Sequence, residues 1–268
     1  PNVVGEQRFG FLQNNHLVGL AAYMGDAATA VSLILSEHER SPDAMLEARR
    51  LYASGAYAEA YEAMPPTFLT ERALLRALAA GRDPEDAWFQ IDPAIRGYYY
   101  SAFQSAAFNT ALWRRVEQGS FGELIVGDLA FRFAGRTTFA IDAVRAADRA
   151  VMDDLAAFRV SPSGPMWGPD MKRASGDVDR LELSALGRFG VRPADLDLPL
   201  DDDAMSVGTR RPLRVPLGSP EVEGGLDEHG PYVRCAFDLP RGSFATTVMR
   251  EVMKPSLGEA GVSGGRGS

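Results

Sequence analysis

The residues best suited to chemistry lie at the start of the chain, where residues 1–10 read PNVVGEQRFG. Two glycines enclose a carboxylate, an amide, a guanidinium and an aromatic ring, carried by Glu6, Gln7, Arg8 and Phe9. Because two valines precede the first glycine, the stretch predicts a short strand that breaks into a turn. That turn is either a polar surface turn after an edge strand or a site that presents these four groups to a ligand.

Other chemistry is hard to build from this sequence. The three histidines are scattered at His16, His38 and His229, and they have no metal-ligand spacing with Cys235, the only cysteine. We therefore predict no metal site. A single cysteine cannot form an internal disulfide, which fits a reducing cytoplasm. The sequence contains no run of about 18 apolar residues and no signal-peptide pattern, so we also predict no membrane association.

The charge distribution leaves nucleic-acid binding open. A net charge of −8 argues against a nucleic-acid binder, but nine of the 36 acidic residues lie in residues 193–230. The rest of the chain is close to neutral. Of the 28 basic residues 26 are arginine, the side chain that binds phosphate with a two-pronged fork. A compositional preference for arginine explains the same count.

The first half of the chain is predicted to be helical. Apolar spacing predicts an amphipathic helix over residues 14–36, weakened near Gly25. Ser41, Asp83 and Asp92 each precede a proline, which is typical of helix starts, so residues 42–118 are predicted to be mostly helical. Breaks are expected near residues 54–55, 64–66 and 81. The stretch at 51–60 resembles one helical-repeat hairpin but has no second copy.

The second half predicts short strands and helices. Strands are expected at residues 124–126, 129–133, 137–139, 209–215 and 232–237, and helices at 142–158 and 177–186. The proline-rich stretch 161–168 is expected to be a rigid loop. Ser243 is expected to cap a last helix. The acidic run 195–203 predicts a solvated loop, and the glycine- and serine-rich residues 255–268 predict a disordered tail.

Several blocks of sequence resemble one known family. Asn-x-x-Gly-x-Gln-Arg-Phe-Gly begins at Asn2, Ser-Ala-x-Gln-Ser-x-x-Phe-Asn ends at Asn109, and Gly-x-Arg-Arg begins at Gly208. The longest block, Phe-Asp-Leu-Pro-x-Gly-Ser-Phe-Ala-Thr-Thr-Val-x-Arg-Glu, occupies residues 237–251. These blocks, together with the proline-rich stretch, are similar in type and order to those of the TruD family of tRNA pseudouridine synthases.

The resemblance implies an α+β fold with two parts. Residues 1–35 and 213–254 would belong to a mixed-sheet pseudouridine synthase catalytic domain, present only in part. Residues 36–212 would form a mostly helical α+β TRUD insertion domain. The family converts uridine to pseudouridine in tRNA without a cofactor, by flipping the base and attacking with an aspartate. It further implies tRNA as the partner, a cytoplasmic location and a monomer that needs no protein partner.

Two departures from the family pattern matter. The family carries its nucleophilic aspartate in a Gly-x-Lys-Asp-x-x-Ala block, and no Gly-x-Lys-Asp occurs in these 268 residues. The expectation is that the chain was cut from a longer protein, that the nucleophile lies upstream, and that this chain alone is inactive. In addition, Val4 stands where the family usually has an aromatic ring, which could stack on the flipped base with about 1–3 kcal/mol.

The resemblance also assigns roles to residues. Substrate-binding roles carry over to Asn2, Gly5, Gln7, Arg8 and Phe9. Phosphate contacts are suggested for Arg210, Arg211 and Arg241, with no catalytic residue inside the chain. The alternatives are that Gln7 and Arg8 only shape the pocket and that the three arginines are ordinary surface residues. Thr246 and Arg250 are expected to brace the last helix.

Two other functions remain possible from the sequence. A chain without the nucleophile could be an inactive RNA-binding remnant. A chain dominated by helices over residues 42–118 could instead be a helical interaction protein. The latter predicts that deleting residues 1–30 and 213–254 leaves a folded unit.

Overall fold

The computed structural model describes residues 1–192, 194–195 and 207–254. Seven helices cover most of the first half of the chain: α1 Asn15–Tyr23, α2 Ala27–Leu35, α3 Asp43–Ala53, α4 Tyr57–Ala63, α5 Leu69–Ala79, α6 Pro84–Trp88 and α7 Pro93–Glu117. The elements after them are β1 Leu129–Arg132, β2 Thr137–Ala140, α8 Ala143–Ala146, α9 Arg149–Ala156, β3 Val160–Met166, α10 Gly176–Gly187, β4 Thr209–Pro212, β5 Gly218–Asp227, β6 Gly230–Asp238 and α11 Ala245–Met253.

Two of the three predicted helix starts, at Asp83 and Asp92, are confirmed; Ser41 does not cap α3, which begins at Asp43 after Pro42 and has no side-chain cap. The Asp83 carboxylate accepts a hydrogen bond from the Asp86 amide at the start of α6, and Asp92 accepts one from Ala94 at the start of α7, both at 2.8 Å. Each carboxylate thereby satisfies an amide that has no partner inside its helix. The prediction of a single helix over residues 14–36 is wrong, because the chain breaks at Gly25, which has a positive φ, into the two helices α1 and α2.

Strand β3 corrects the prediction of an irregular loop over residues 161–168. A proline has no backbone N–H to donate to a neighbouring strand. For this reason Pro162 and Pro165 predicted a loop rather than a strand. In the structure, β1 pairs only with residues 160–162 of β3, and β4 pairs only with residues 163–166. Pro165 therefore has a strand partner on one side only, and Pro162, which pairs with β1, takes part on its other side only as an acceptor from the Leu213 N–H; the sheet tolerates both.

Other local predictions also fail. Residues 124–125 have no regular structure and Val126 lies in a turn, so the strand expected there is absent. The expected strand before Gly5 is absent, and a 3₁₀ turn occupies Glu6–Phe9. Helix α11 begins at Ala245 and has no side-chain cap, so Ser243 does not cap it.

The predicted α+β class is confirmed. Four strands form one sheet in the order β2-β1-β3-β4, and β5 and β6 form a separate hairpin. All pairings among the described strands are antiparallel. Strand β5 was not predicted, and the helix expected over 142–158 is divided into α8 and α9. Most of the acidic run and the whole predicted tail lie outside the described residues.

The largest hydrophobic core lies among the first seven helices. It includes Val18 and Val31 as well as Leu74 and Phe103, and it reaches Trp167 after β3. The core thus contains residues from both sides of the predicted boundary at 35/36, and the division into domains stays a prediction. No helix in the described part of the chain is long and apolar enough to cross a membrane.

The contact between α1 and α7 depends on a glycine. A Cβ atom placed on Gly19 of α1 would overlap the backbone carbonyl of Tyr99 in α7. The two helices can therefore approach this closely only because position 19 has no side chain.

We expect Gly19→Ala to lower the free energy of unfolding by about 2–3 kcal/mol, since backbone rather than a flexible side chain must move. Gly187→Ala is the matched control, because a Cβ at that helical glycine would meet open space. Chemical denaturation of both variants measures the difference. Equal stability of the two variants would contradict the close packing of α1 on α7.

Candidate substrate site

The first segment of the chain is attached to strand β4 through Asn2. The Asn2 amide N–H donates to the Leu213 carbonyl at 2.7 Å, and its side-chain Nδ2 donates to the Pro212 carbonyl at 2.9 Å. The side-chain Oδ1 accepts from Arg211 at 2.9 Å. Asn2 is buried, and its side chain is engaged in these contacts. It therefore attaches the first segment of the chain to β4 from inside the protein.

The next contact joins the segment to helix α7. The Asn109 side chain accepts a hydrogen bond from the Val4 N–H at 2.8 Å and donates one to the Val4 carbonyl at 2.9 Å. One carboxamide thus satisfies both backbone groups of Val4, as a neighbouring strand would do. The Val4 side chain packs in a buried cluster with Phe108, Leu112 and Leu213.

The turn itself rests against α11 and α7. A Cβ at Gly5 would lie 3.1 Å from the Phe244 ring, so the turn and the start of α11 are in contact. Glu6 forms an exposed ion pair with Arg250 at 2.8 Å. Gln7 is also bound from two sides: Thr246 lies 3.4 Å from its side-chain oxygen, and the Tyr98 hydroxyl donates to its carbonyl at 2.9 Å.

Arg8 and Phe9 complete the turn. The Arg8 guanidinium lies over the Tyr98 ring, 4.9 Å from its centroid. Such cation–π contacts hold a guanidinium without neutralising its charge. The Phe9 ring contacts the His16 ring edge-on, with centroids 5.3 Å apart. The turn therefore presents a positive charge and a half-buried ring on one small surface.

The three candidate phosphate-binding arginines are in different environments. Arg210 is buried and makes a two-pronged ion pair with Glu182, at 2.6 and 2.8 Å. A guanidinium in this pair is not available to a phosphate, so we assign Arg210 to the fold. Arg241 is exposed on the loop before α11.

Arg211 faces the site. It donates to the Asn2 side chain and carbonyl, and its guanidinium lies 5.3 Å from the Phe108 ring centroid and 6.0 Å from that of Phe244. No carboxylate of the described residues forms an ion pair with it. Burial, together with the nearby charge of Arg8, lowers the pKa of Arg211 to about 10. A desolvated cation beside a like charge is the type of group that functional sites contain.

The structure brings together the sequence blocks that the resemblance singled out. The first block, residues 2–10, contacts the second block through Asn109, the Gly-x-Arg-Arg block through Arg211, and the last block through Phe244 and Arg250. Sequence reasoning did not assign Asn109 to the site. The available signal was an amide in a strongly apolar helix, which needs a buried partner.

A sequence profile of the family described as "tRNA pseudouridine synthase D (TruD)" matches residues 1–252. The chain belongs to the TruD family. The tRNA pseudouridine synthase D of Geobacter metallireducens is 37% identical over 257 residues, which span 95% of this chain and 60% of the relative. That of Syntrophotalea carbinolica is 34% identical over 264 residues, which span 96% of this chain and 62% of the relative.

The fold agrees with this assignment. The crystal structure of a TruD protein from Methanosarcina mazei matches with a TM-score of 0.82 and 28% sequence identity, covering 95% of this chain and 61% of that one. The chain thus spans roughly three fifths of the length of these TruD-family relatives.

We expect Asn109→Leu to lower the free energy of unfolding by about 2–4 kcal/mol, because both backbone groups of Val4 would be left buried without partners. Asn109→Asp should also destabilise, since a carboxylate accepts from the Val4 N–H but repels its carbonyl. The control is Thr110→Val, which removes only a bond to the preceding helical turn. Thermal or chemical unfolding measures all three. An Asn109→Leu variant as stable as the control would show that the bond to Val4 is dispensable.

We expect His16 to make the free energy of unfolding depend on pH. Burial lowers the pKa of His16, and its Nδ1 is buried without a hydrogen-bond partner among the described residues. Because the folded pKa lies below the unfolded value of about 6.5, the stabilisation is complete above that pH and declines as the pH falls towards the folded pKa. The decline is about 1.4 kcal/mol for each pH unit that separates the two pKa values.

We therefore expect the free energy of unfolding to fall between pH 7 and pH 5, and the fall to be smaller in His16→Leu. The matched control is His229→Leu, at an exposed histidine in the β5–β6 hairpin, which should keep the wild-type slope. Denaturant titrations at half-unit pH intervals give both slopes. The same slope in His16→Leu as in the wild type would exclude His16 as the source.

Proposed function

We propose that this chain provides part of the substrate site of a tRNA pseudouridine synthase, which isomerises uridine to pseudouridine in tRNA. The convergence of the family blocks around the turn Glu6–Phe9 is the observation that supports the proposal. A coding preference for arginine would not place Arg8 and Arg211 together beside this turn. Membership of the TruD family supports the same reaction.

The reaction requires the target base to leave the helical stack and the N1–C1′ bond of the uridine to break. The base then rotates and rejoins C1′ through C5; C5 loses its proton and N1, released from the sugar, takes up a proton, so the product is an isomer of the substrate. The chain's own residues would hold RNA during these steps. Arg8 and Arg211 supply positive charge, Phe9 supplies a ring, and Asn2 and Asn109 fix the backbone from which these groups project.

We further propose that the nucleophilic aspartate is not among these 268 residues. The only carboxylate of the turn is Glu6, and it is paired with Arg250. The family's Gly-x-Lys-Asp block does not occur in the sequence. The 268-residue chain alone would then bind tRNA without isomerising it, which is also what an RNA-binding remnant would do.

The third candidate, a helical interaction protein confined to residues 42–118, receives no support from the packing. Val18, Val31 and Leu35 lie in the same core as the helices of that range. Deleting residues 1–30 would open this core, which argues against a self-contained helical unit.

We expect the 268-residue chain to release no tritium from tRNA labelled with [5-³H]uridine. When a family segment that carries Gly-x-Lys-Asp is fused to it, tritium release should appear, and it should disappear again when that aspartate is changed to asparagine. Within the fusion, Arg8→Gln should lower kcat/KM about 10- to 100-fold, because a charge at the site is lost.

Arg82→Gln is the control, since it removes the same charge from an exposed position between α5 and α6. Tritium release by the 268-residue chain alone would refute the absence of the nucleophile. A fusion that binds tRNA and never releases tritium would favour the RNA-binding remnant.

A further inference from the structure

Arg211 has an unused face. An arginine side chain carries five N–H donors. In this structure Nε and Nη2 donate to Asn2, at 3.3 Å to its carbonyl and at 2.9 Å to its Oδ1. Across the described residues, Nη1 has no hydrogen-bond partner. The two donors of Nη1 are therefore free while the rest of the side chain is held in position.

The charge of Arg211 is also uncompensated. Its neighbour in β4, Arg210, has Glu182 as a counter-ion, but no described carboxylate plays this part for Arg211. Two aromatic rings and the positive charge of Arg8 surround it instead. Holding a cation there is costly unless an anion binds to it.

A glycine keeps the space beside Nη1 open. Gly242 has φ +90, a conformation that disfavours other residues, and a Cβ at this position would lie 3.8 Å from Nη1 of Arg211. Any side chain at 242 would project beside the free donors. The next residue towards the N-terminus is the exposed Arg241, so a second positive charge lies on the same loop. We call the free donors of Arg211 and the open space beside Gly242 the cradle, and Arg241 adds a positive charge to the same loop.

We propose that Nη1 of Arg211, beside Gly242, binds a non-bridging phosphate oxygen of the RNA strand next to the target nucleotide. This inference rests on the proposed function. A guanidinium matches a phosphate in shape and charge. Phosphate fits the cradle better than a single carboxylate, because Arg8, Arg211 and Arg241 offer several positive charges where an RNA backbone carries a series of negative ones. A base that enters beside Phe9 brings its own phosphates with it.

The first test is an arginine footprint of the wild-type 268-residue chain with phenylglyoxal, read by peptide mass spectrometry. An unmodified tRNA transcript should slow the modification of Arg211 at least tenfold, and inorganic phosphate should slow it at millimolar concentrations. Arg82 should be modified at the same rate throughout. Sodium acetate at equal ionic strength is the carboxylate probe and should protect less than phosphate.

The second test is the salt dependence of tRNA binding. Compared with Arg82→Gln, Arg211→Gln should weaken binding about tenfold and reduce the slope of log K against log salt by about 0.7–1. Arg211→Lys, which keeps the charge but not the fork, should recover part of the affinity. Melting curves show whether each variant is folded. If Arg211→Gln does not fold, the footprint of the wild-type chain alone tests whether Arg211 binds phosphate.

Bound tRNA that leaves Arg211 unprotected would overturn the inference while the proposed function stands. Stronger protection by acetate than by phosphate would also overturn it, in favour of a protein carboxylate. Absence of tRNA binding would refute the proposed function instead, and protection of Arg211 by phosphate would then still support an anion site.

Discussion

The hydrogen bonds between Asn109 and Val4 are the contact on which the site depends. Beyond Asn2, the first segment pairs with no strand in the described structure, so its backbone groups need partners from elsewhere. Asn109 provides both for Val4, and β4 provides those for Asn2. Helix α7 is in turn held by the buried core. The first family block thus gains its position from side chains of the long helix α7.

The paired arginines of β4 show how one strand serves both fold and site. Successive side chains of a strand point to opposite faces. Arg210 is directed into the protein, where Glu182 on α10 neutralises it, and Arg211 is directed to the first turn, where nothing described neutralises it. The buried pair fixes the strand, because breaking it would leave an uncompensated charge. The ion pair of Arg210 thereby helps to hold the uncompensated charge of Arg211 in place.

The sequence predicted most of the helices and the family, for identifiable reasons. Capping aspartates and prolines act within a few residues, so the starts of α6 and α7 were visible locally. Strand β3 could not be predicted locally, because its prolines are tolerated only through long-range pairing: β1 pairs with the first part of β3 and β4 with the second part. Likewise, Arg210 and Arg211 differ in role because Arg210 pairs with Glu182, which is 28 residues away. No local sequence pattern indicates that contact.

The position of Val4 bears on how a base could be held. The family's aromatic ring at this position would be a stacking surface, but Val4 is only 3% exposed and contributes to a core with Phe108 and Leu112. A stacking surface must therefore come from another ring of the site. Tyr98 already lies against Arg8, and Phe244 lies against Gly5. Phe9 is half-buried, contacts His16 in a T-shaped arrangement and is the aromatic ring of the turn itself, so it is the ring that we propose for this role.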